Sequence, residues 1–281
     1  MVLAAVEQNE PADRRLVDDD LAELFLPAPL RWLVAATGPA VVRRAFVGAS
    51  ERTGRGLWAN LACRKRFIGD KLTESVDDID AVVILGAGLD TRAYRLNRRV
   101  RKLVFEVDLP VNIARKAKTV RRVLGELPLS VRLVALNFEQ DDLLTALAEH
   151  GYHTEYRTFF IWEGVTQYLT EDAVRTTLEG LRPTAPGSRL VFTYVRRDFI
   201  DGTNQYGAST LYRSVRKQGG RAGPLWHFGI RPEEVATFLE EYGWRLVEQV
   251  GPDELIERYV EPTGRKLKAS QIEWSAFAEK V

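Results

Sequence analysis

The sequence predicts an α/β fold around a mostly parallel sheet of seven strands, and three observations support this prediction. Between residues 80 and 195, five apolar runs alternate with helical patterns, which is typical of a parallel sheet covered on both faces. A glycine turn, GAGLD, directly follows the first of these runs. Two further strand-like runs, WRLVEQV and IERYVEP, lie only a few residues apart, so we expect them to pair as a terminal antiparallel hairpin.

The chain before the sheet has the pattern of a helical cap. Its first dozen residues are polar, and we expect them to be frayed. From residue 13 to residue 75, apolar residues recur at helical spacing, interrupted by prolines and by Gly38-Pro39. This segment therefore predicts several short helices, the last of them over Gly56 to Ser75.

The central part of the sequence predicts strands that alternate with helices. Each strand is a short run rich in valine, isoleucine, leucine and phenylalanine. The expected strands are 81–85, 102–108, 131–137, 157–163 and 188–195. The helices expected between and after them are about 110–126, 141–150, 171–182 and 231–242.

A chain of 281 residues with this pattern is expected to form one domain. The sheet and its helices form a core at 80–195 and 231–262, which the cap at 13–75 precedes. The segment 196–229 is rich in glycine and aromatic residues and is too long for a tight connection, so we interpret it as an inserted lid.

Composition excludes several classes of protein. The 40 basic residues are balanced by 39 acidic ones, so no overall field favours nucleic acid or a membrane surface. The single cysteine rules out an internal disulfide framework, and no metal-ligand spacing is present. No signal peptide or long apolar run is found, so we expect a cytoplasmic protein, monomeric or homodimeric, without a membrane or nucleic-acid partner.

The glycine turn and the second strand form the front half of a mononucleotide-binding unit. Without a Cβ atom, Gly86 and Gly88 allow the backbone from Gly86 through Ala87 to Gly88 to turn sharply and approach a ligand. Asp108 ends the next strand about 20 residues later, the spacing at which a carboxylate accepts hydrogen bonds from ribose hydroxyls. Asp108 is also placed to cap a helix that opens at Leu109-Pro110. The sequence therefore predicts a site for an adenosine derivative.

Five sequence blocks, in order, resemble one family. They are CRKRFIGD, LGAGLDTRAYRL, FEVDLP, WEGVTQYL, and the tail GIRPEEVATFLEEYGW followed by ELIERYVEPTGR. From about residue 13 onward the chain resembles the leucine carboxyl methyltransferase-like family of S-adenosylmethionine-dependent methyltransferases, a group common in actinobacteria and often associated with O-methylation in polyketide and other secondary metabolism. The resemblance implies the class I methyltransferase Rossmann-like fold and S-adenosylmethionine as cofactor.

The resemblance also implies roles for charged residues around the cofactor. Arg64 would pair with its methionyl carboxylate; the alternative is a solvated basic helix face. Glu163, at the end of the fourth strand, would hold the methionyl ammonium or lie near the sulfonium, and Gly164 lets the chain turn away. The alternative for Glu163 is a salt bridge to one of the many arginines. Asp90 and Arg92 are expected to serve the structure rather than to touch the ligand.

The third strand ends in Asn137-Phe138, where the family usually has Asp-Leu. The resemblance implies that this pair contacts adenine, with the Asn137 amide oxygen on the exocyclic amine and the Phe138 backbone N–H on a ring nitrogen. Glu139 and Asp141 lie nearby in the sequence and remain alternatives for this contact.

The methyl acceptor would be a small and moderately hydrophobic organic molecule, aromatic or carrying a carboxylate. The residues expected to contact it are aromatic residues of the lid and the strand ends, and packing in the core is the alternative for at least half of them. They are Tyr168, Tyr194, Tyr206, Tyr212, Trp226 and Phe228. His227 is the candidate general base if the acceptor is a hydroxyl, but packing or substrate contact is its alternative role.

Two other functions fit parts of the sequence. A nicotinamide-dependent oxidoreductase would use a similar glycine turn, but Thr91 stands near the place of the third glycine. A cofactor-binding homologue without catalysis is supported only by the departure at Asn137.

Overall fold

A computed structural model describes residues 1–218 and 224–281, and it contains the predicted seven-stranded sheet. The strand order is β3-β2-β1-β4-β5-β7-β6, with β7 antiparallel to both of its neighbours and the first five strands parallel. The strands are β1 Ala81–Leu85, β2 Leu103–Asp108, β3 Val131–Ala135, β4 Thr158–Trp162, β5 Arg189–Val195, β6 Trp244–Val250 and β7 Glu273–Lys280. The mostly parallel α/β fold is therefore confirmed.

Helices cover both faces of this sheet. The α-helices are α1 Val2–Glu7, α2 Ala28–Ala36, α3 Ala40–Thr53, α4 Leu57–Ser75, α5 Arg92–Asn97, α6 Pro110–Leu124, α7 Leu143–Glu149, α8 Glu171–Gly180, α9 Arg197–Asp201, α10 Ser209–Gln218, α11 Val235–Glu240 and α12 Pro252–Leu255. Every residue of β1 and β4 is buried, as expected for parallel strands between two helical layers. Within the described parts of the chain, no helix is long and apolar enough to cross a bilayer.

The prediction of a strand at IERYVEP is wrong. Residues Ile256–Val260 form one wide helical turn that continues α12, and a short 3₁₀ turn follows at Glu261–Thr263. Leu255, Tyr259 and Val260 are buried, and this spacing presents one helical face to the core. The partner of β6 is instead β7, so the predicted core boundary at 231–262 leaves out one strand of the sheet.

The prediction of a frayed amino-terminal segment is also wrong. α1 packs against the rest of the cap with Ala4, Ala5 and Val6 at most 1% exposed. Glu7 is also buried, and its carboxylate accepts hydrogen bonds from Trp58 Nε1 at 2.7 Å and from the Arg265 guanidinium at 2.7 and 3.0 Å. Burial of a short apolar run thus overrides the polar composition of the surrounding segment.

A fully buried ion pair lies on one face of the sheet, beneath the glycine turn. Lys116 of α6 pairs with Glu106 of β2, and both side chains are 0% exposed. The Tyr94 hydroxyl donates to the other Glu106 oxygen at 2.6 Å, and Lys116 Nζ also donates to the Ala87 carbonyl at 3.3 Å. Burial raises the pKa of Glu106 although Lys116 lies beside it. This group of three side chains connects α6, β2 and the turn.

The carboxyl ends of β1, β2 and β4 lie at the same edge of the sheet, because these strands are parallel neighbours. The polypeptide leaves this edge at Gly86, Asp108 and Glu163. Ligands of open α/β sheets bind at this edge, so the fold brings three of the predicted site segments together.

Candidate functional site

The glycine turn is held against β2 by its own backbone. Gly86 has φ +73°, and the N–H groups of Gly86 and Ala87 both donate to the Val107 carbonyl, at 2.8 and 2.9 Å. A Cβ atom on Gly86 would lie 2.2 Å from a methyl carbon of Val165. Glycine is therefore required at position 86 both by the backbone conformation and by the close approach of Val165.

Asp108 fastens the glycine turn to the start of α6. Its Oδ2 atom accepts a hydrogen bond from the Gly88 N–H at 2.6 Å. Its Oδ1 atom accepts from the Leu109 N–H and from Asn112 Nδ2, both at 2.7 Å. Leu109, and not Asp108, is the N-cap residue of α6, so the prediction that Asp108 caps this helix is wrong. An ionised carboxylate accepts about four hydrogen bonds, so Asp108 keeps capacity for a ligand hydroxyl.

Glu163 lies in a cluster of three cations. Its Oε1 atom is 3.0 Å from Arg64 Nε and 3.4 Å from Lys65 Nζ, and its Oε2 atom is 2.6 Å from an Arg92 nitrogen. Burial alone would raise the pKa of Glu163, but Arg92, Lys65 and Arg64 together hold this pKa well below its usual range. Glu163 thus makes the arginine salt bridges that were its alternative role.

Arg64 joins this cluster to the last strand of the sheet. One of its terminal nitrogens lies 2.5 and 2.6 Å from the two carboxylate oxygens of Glu273, the first residue of β7. The Arg64 side chain is only 14% exposed, which excludes the alternative of a solvated basic helix face. A Cβ atom on Gly164 would lie 2.9 Å from the other terminal nitrogen of Arg64, so the glycine makes room for the guanidinium.

Three members of the cluster were not among the predicted ligand-binding residues. Lys65 and Arg92 belong to the sequence blocks CRKRFIGD and LGAGLDTRAYRL, which are a signal that could have identified them. Arg92 also pairs with Asp90, as expected for a structural role. Glu273 follows Arg64 by 209 residues, and no local pattern indicates their contact.

The third strand ends earlier than predicted, at Ala135, and Asn137 lies directly before a turn at residues 138–140. Asn137 Oδ1 accepts from the Glu139 N–H at 3.1 Å, and the Asn137 N–H donates to Asp141 at 2.8 Å. The Glu139 carboxylate accepts two hydrogen bonds from Thr170, both at 3.0 Å. The Phe138 side chain is mostly buried. All three polar side chains thus have partners within the loops at this edge of the sheet.

Part of the predicted acceptor surface forms one aromatic cluster. Trp226 lies 6.3 Å from Tyr168 and 6.0 Å from Phe199, and Tyr212 lies 5.6 Å from Phe199, measured between ring centroids. Tyr168 is 46% exposed. Tyr206 also packs on this part of the segment 196–229. Aromatic residues of this segment and Tyr168 therefore form a layer that reaches solvent at Tyr168.

Two of the predicted acceptor residues lie in the core instead. Phe228 is 1% exposed and packs on Phe238, with ring centroids 6.0 Å apart. Tyr194 is fully buried on β5, and its hydroxyl has no hydrogen-bond partner in the part of the chain that the structure describes. The packing alternative thus applies to both of them.

His227 is an exposed residue next to the aromatic cluster. Its backbone N–H donates to the Gln167 carbonyl at 2.7 Å, one residue before Tyr168. Three glycines of the segment 196–229, at positions 219, 220 and 223, lie outside the described residues. Within the described residues, no group of three histidine, cysteine, aspartate or glutamate side chains is arranged to hold a metal ion.

Comparison with known proteins gives a consistent result. A family model described as leucine carboxyl methyltransferase matches residues 1–182. A protein from Mycobacterium avium, provisionally named an S-adenosyl-L-methionine-dependent methyltransferase, is 33% identical over 87% of this chain and 81% of its own length. A protein from Mycolicibacterium paratuberculosis with the same provisional name is 32% identical over 69% of this chain and 71% of its own length.

Two solved structures share the fold at lower sequence identity. A protein from Thermobifida fusca, provisionally described as a methyltransferase, is 16% identical with a TM-score of 0.60, and the match covers 98% of this chain and 97% of the other. A DUF574 family protein from Streptomyces avermitilis is also 16% identical, with a TM-score of 0.58 and coverages of 85% and 91%. At this identity the similarity concerns the fold alone.

Proposed function

The chain belongs to the leucine carboxyl methyltransferase family of S-adenosylmethionine-dependent methyltransferases, and we propose that it methylates an oxygen of a small organic metabolite. The acceptor atom is a hydroxyl or carboxylate oxygen. The reaction belongs to secondary metabolism and takes place in the cytoplasm. The observation that carries the proposal is the meeting of the glycine turn, Asp108 and the Arg64–Glu163 pair at one edge of the sheet.

The residues at this edge fit the chemistry of S-adenosylmethionine. Its methionyl group carries an ammonium and a carboxylate, and the buried pair of Glu163 and Arg64 offers the complementary charges. Asp108 has remaining acceptor capacity for a ribose hydroxyl, next to the backbone of the glycine turn. Asn137 and the Phe138 N–H would contact the adenine, the first through its amide oxygen.

The segment after β4 connects this site to the lid. Val165 lies against Gly86, and three residues later Tyr168 contacts Trp226 of the aromatic cluster. An acceptor held between Tyr168, Tyr212 and Trp226 would therefore lie next to the cofactor site. Tyr206 packs against the same part of the chain. When bound, the cofactor supplies an activated methyl group, so the protein mainly orients the acceptor and excludes water.

The nicotinamide-dependent alternative is not retained, because the family is that of S-adenosylmethionine-dependent enzymes. A homologue without catalysis is the remaining alternative. Transfer of a labelled methyl group from S-adenosylmethionine to any member of a panel of aromatic and carboxylate metabolites would exclude it. Binding of S-adenosylhomocysteine without transfer to any acceptor would favour it.

Replacing Asp108 by alanine tests the ribose contact. We expect the variant to bind S-adenosylhomocysteine more weakly by about 1.5–3 kcal/mol, the range for hydrogen bonds to a charged group. Calorimetric titration measures the change. 5′-Methylthioadenosine has the same ribose and should lose a similar amount. Unchanged affinity in a folded variant would contradict the assignment.

Replacing His227 by alanine tests whether it acts as a base. His227 is exposed, and its backbone N–H is hydrogen-bonded to the Gln167 carbonyl. We therefore expect its side chain to contact the acceptor, so that KM rises in the variant and kcat changes little. Loss of a general base would instead lower kcat by roughly 10²–10⁴-fold and flatten its pH dependence. Steady-state kinetics with the identified acceptor distinguish the two outcomes, and the second would overturn the contact role.

A further inference from the structure

A cavity lies beside the cofactor site, and no ligand has been assigned to it. It is a groove of about 830 Å³ between the segment 12–20, α4, and the chain from Arg92 to Val100. This volume lies within the range of roughly 300–1,000 Å³ that small-molecule sites occupy. Neither the aromatic cluster nor the glycine turn lines it.

The wall of this groove has a surplus of positive charge. Seven of its 19 residues are arginine or lysine and three are aspartate, although the whole chain has a net charge of only +1. Asp18 is neutralised by Arg15 at 2.9 Å, and Asp20 is neutralised by Arg98. Carboxylates outside the lining pair with three more of these cations, Glu163 with Lys65 and Arg92 and Asp19 with Arg95. Among the described residues, the unpaired basic charge of the groove therefore lies on its two remaining arginines.

Two guanidinium groups of the groove are available to a ligand. Among the described residues, neither Arg66 nor Arg99 has a carboxylate oxygen within 4.0 Å. Arg66 donates weakly to the Arg15 carbonyl at 3.5 Å and lies over the Tyr259 ring at 5.2 Å. Both side chains are exposed. Such groups bind phosphate and carboxylate oxygens through paired hydrogen bonds.

The groove and the cofactor site share two residues. Lys65 and Arg92 line the groove, and both also pair with Glu163. A molecule lying in the groove would therefore reach the residues expected to surround the methionyl end of the cofactor. This continuity favours a ligand that takes part in the reaction over an unrelated one.

We propose that the groove binds an anionic part of the methyl acceptor, one that carries several phosphate or carboxylate oxygens. The identification of this ligand as the acceptor rests on the proposed methyltransferase function. The inference that the groove binds a polyanion does not depend on that function. The volume of about 830 Å³ and the nearly neutral chain fit a small molecule rather than a nucleic acid.

Calorimetry with two probes tests the site. Tripolyphosphate represents the phosphate ligands and citrate represents the carboxylate ligands. We expect the unaltered protein to bind at least one of them, and Arg99→Glu to weaken that binding by about tenfold or more. Arg121→Glu is the matched control, since Arg121 is an exposed arginine of α6 outside the groove, and it should change the affinity less than about twofold. The stronger probe identifies which kind of oxygen the groove prefers.

Other results would overturn the proposal. One is that neither probe binds to the unaltered protein. Another is that Arg121→Glu loses as much affinity as Arg99→Glu. A third is that a short DNA duplex binds more tightly than both probes and competes with them. Titration of Arg99→Glu with S-adenosylhomocysteine separates this proposal from the proposed function. If the affinity of Arg99→Glu for S-adenosylhomocysteine is unchanged, the substitution has not disturbed the cofactor site. If the unaltered protein does not bind S-adenosylhomocysteine, that result counts against the methyltransferase proposal alone.

Discussion

Replacing Lys116 by methionine is expected to lower the free energy of unfolding by about 3–5 kcal/mol, because it leaves a buried carboxylate without its cation. Lys116 and Glu106 are both 0% exposed, and the pKa of Glu106 is raised by burial even with the lysine present. In a domain of this size the loss corresponds to a Tm lower by about 10 °C. Denaturant titration and thermal melting measure both quantities.

Two further variants define the cause. Lys118→Met changes an exposed lysine of the same helix and should alter stability by less than about 0.5 kcal/mol. The double variant Glu106→Leu with Lys116→Met removes both charges, so it should be more stable than Lys116→Met alone. If the double variant is the less stable of the two, the loss comes from packing and not from the unpaired charge.

Replacing Glu163 by glutamine is expected to weaken S-adenosylhomocysteine binding by about 2–5 kcal/mol, or 30-fold and more. Glu163 is the carboxylate that three cations surround, and its pKa lies well below the usual range, so it is charged at neutral pH. Glutamine keeps the shape but offers no negative charge to the methionyl ammonium. Calorimetric titration at neutral pH measures the loss.

The ligand 5′-methylthioadenosine makes this test specific. It has the adenosine part but lacks the amino-acid group, so Glu163→Gln should leave its affinity nearly unchanged, whereas Asp108→Ala should weaken both ligands. Glu126→Gln, an exposed glutamate in the loop after α6, serves as the matched control. An equal loss for both ligands in Glu163→Gln would contradict the assignment to the ammonium and indicate a general distortion of the site.

The sheet could be predicted where local sequence determines it. β1 is a run of five buried residues followed by a glycine turn, and both features are visible in the sequence. The last strand could not be located in the same way. IERYVEP has β-branched and aromatic residues like a strand, but Leu255 and Tyr259 face the core as a helix does. Whether this segment forms a strand or a helix depends on its packing against distant segments.

The candidate site has a similar division. Arg64, Asp108 and Glu163 come from motifs, and the structure places each of them at the carboxyl edge of the sheet or facing it. The partners of Arg64 are set by the tertiary structure, since Glu273 is 209 residues away along the chain. Sequence motifs thus identify the residue types of the site, but not the ion pairs that these residues form.

The position of β7 has a consequence for synthesis on the ribosome. β7 lies between β5 and β6, so β6 has no partner strand, and β5 pairs on one edge only, until residue 280 has emerged. At roughly 5–20 residues per second, the interval after β6 is complete lasts about 2–6 s. During it, β5 presents an open edge that another nascent chain can pair with. Arg64 also lacks Glu273 until then, so the charge cluster is among the last parts of the molecule to assemble.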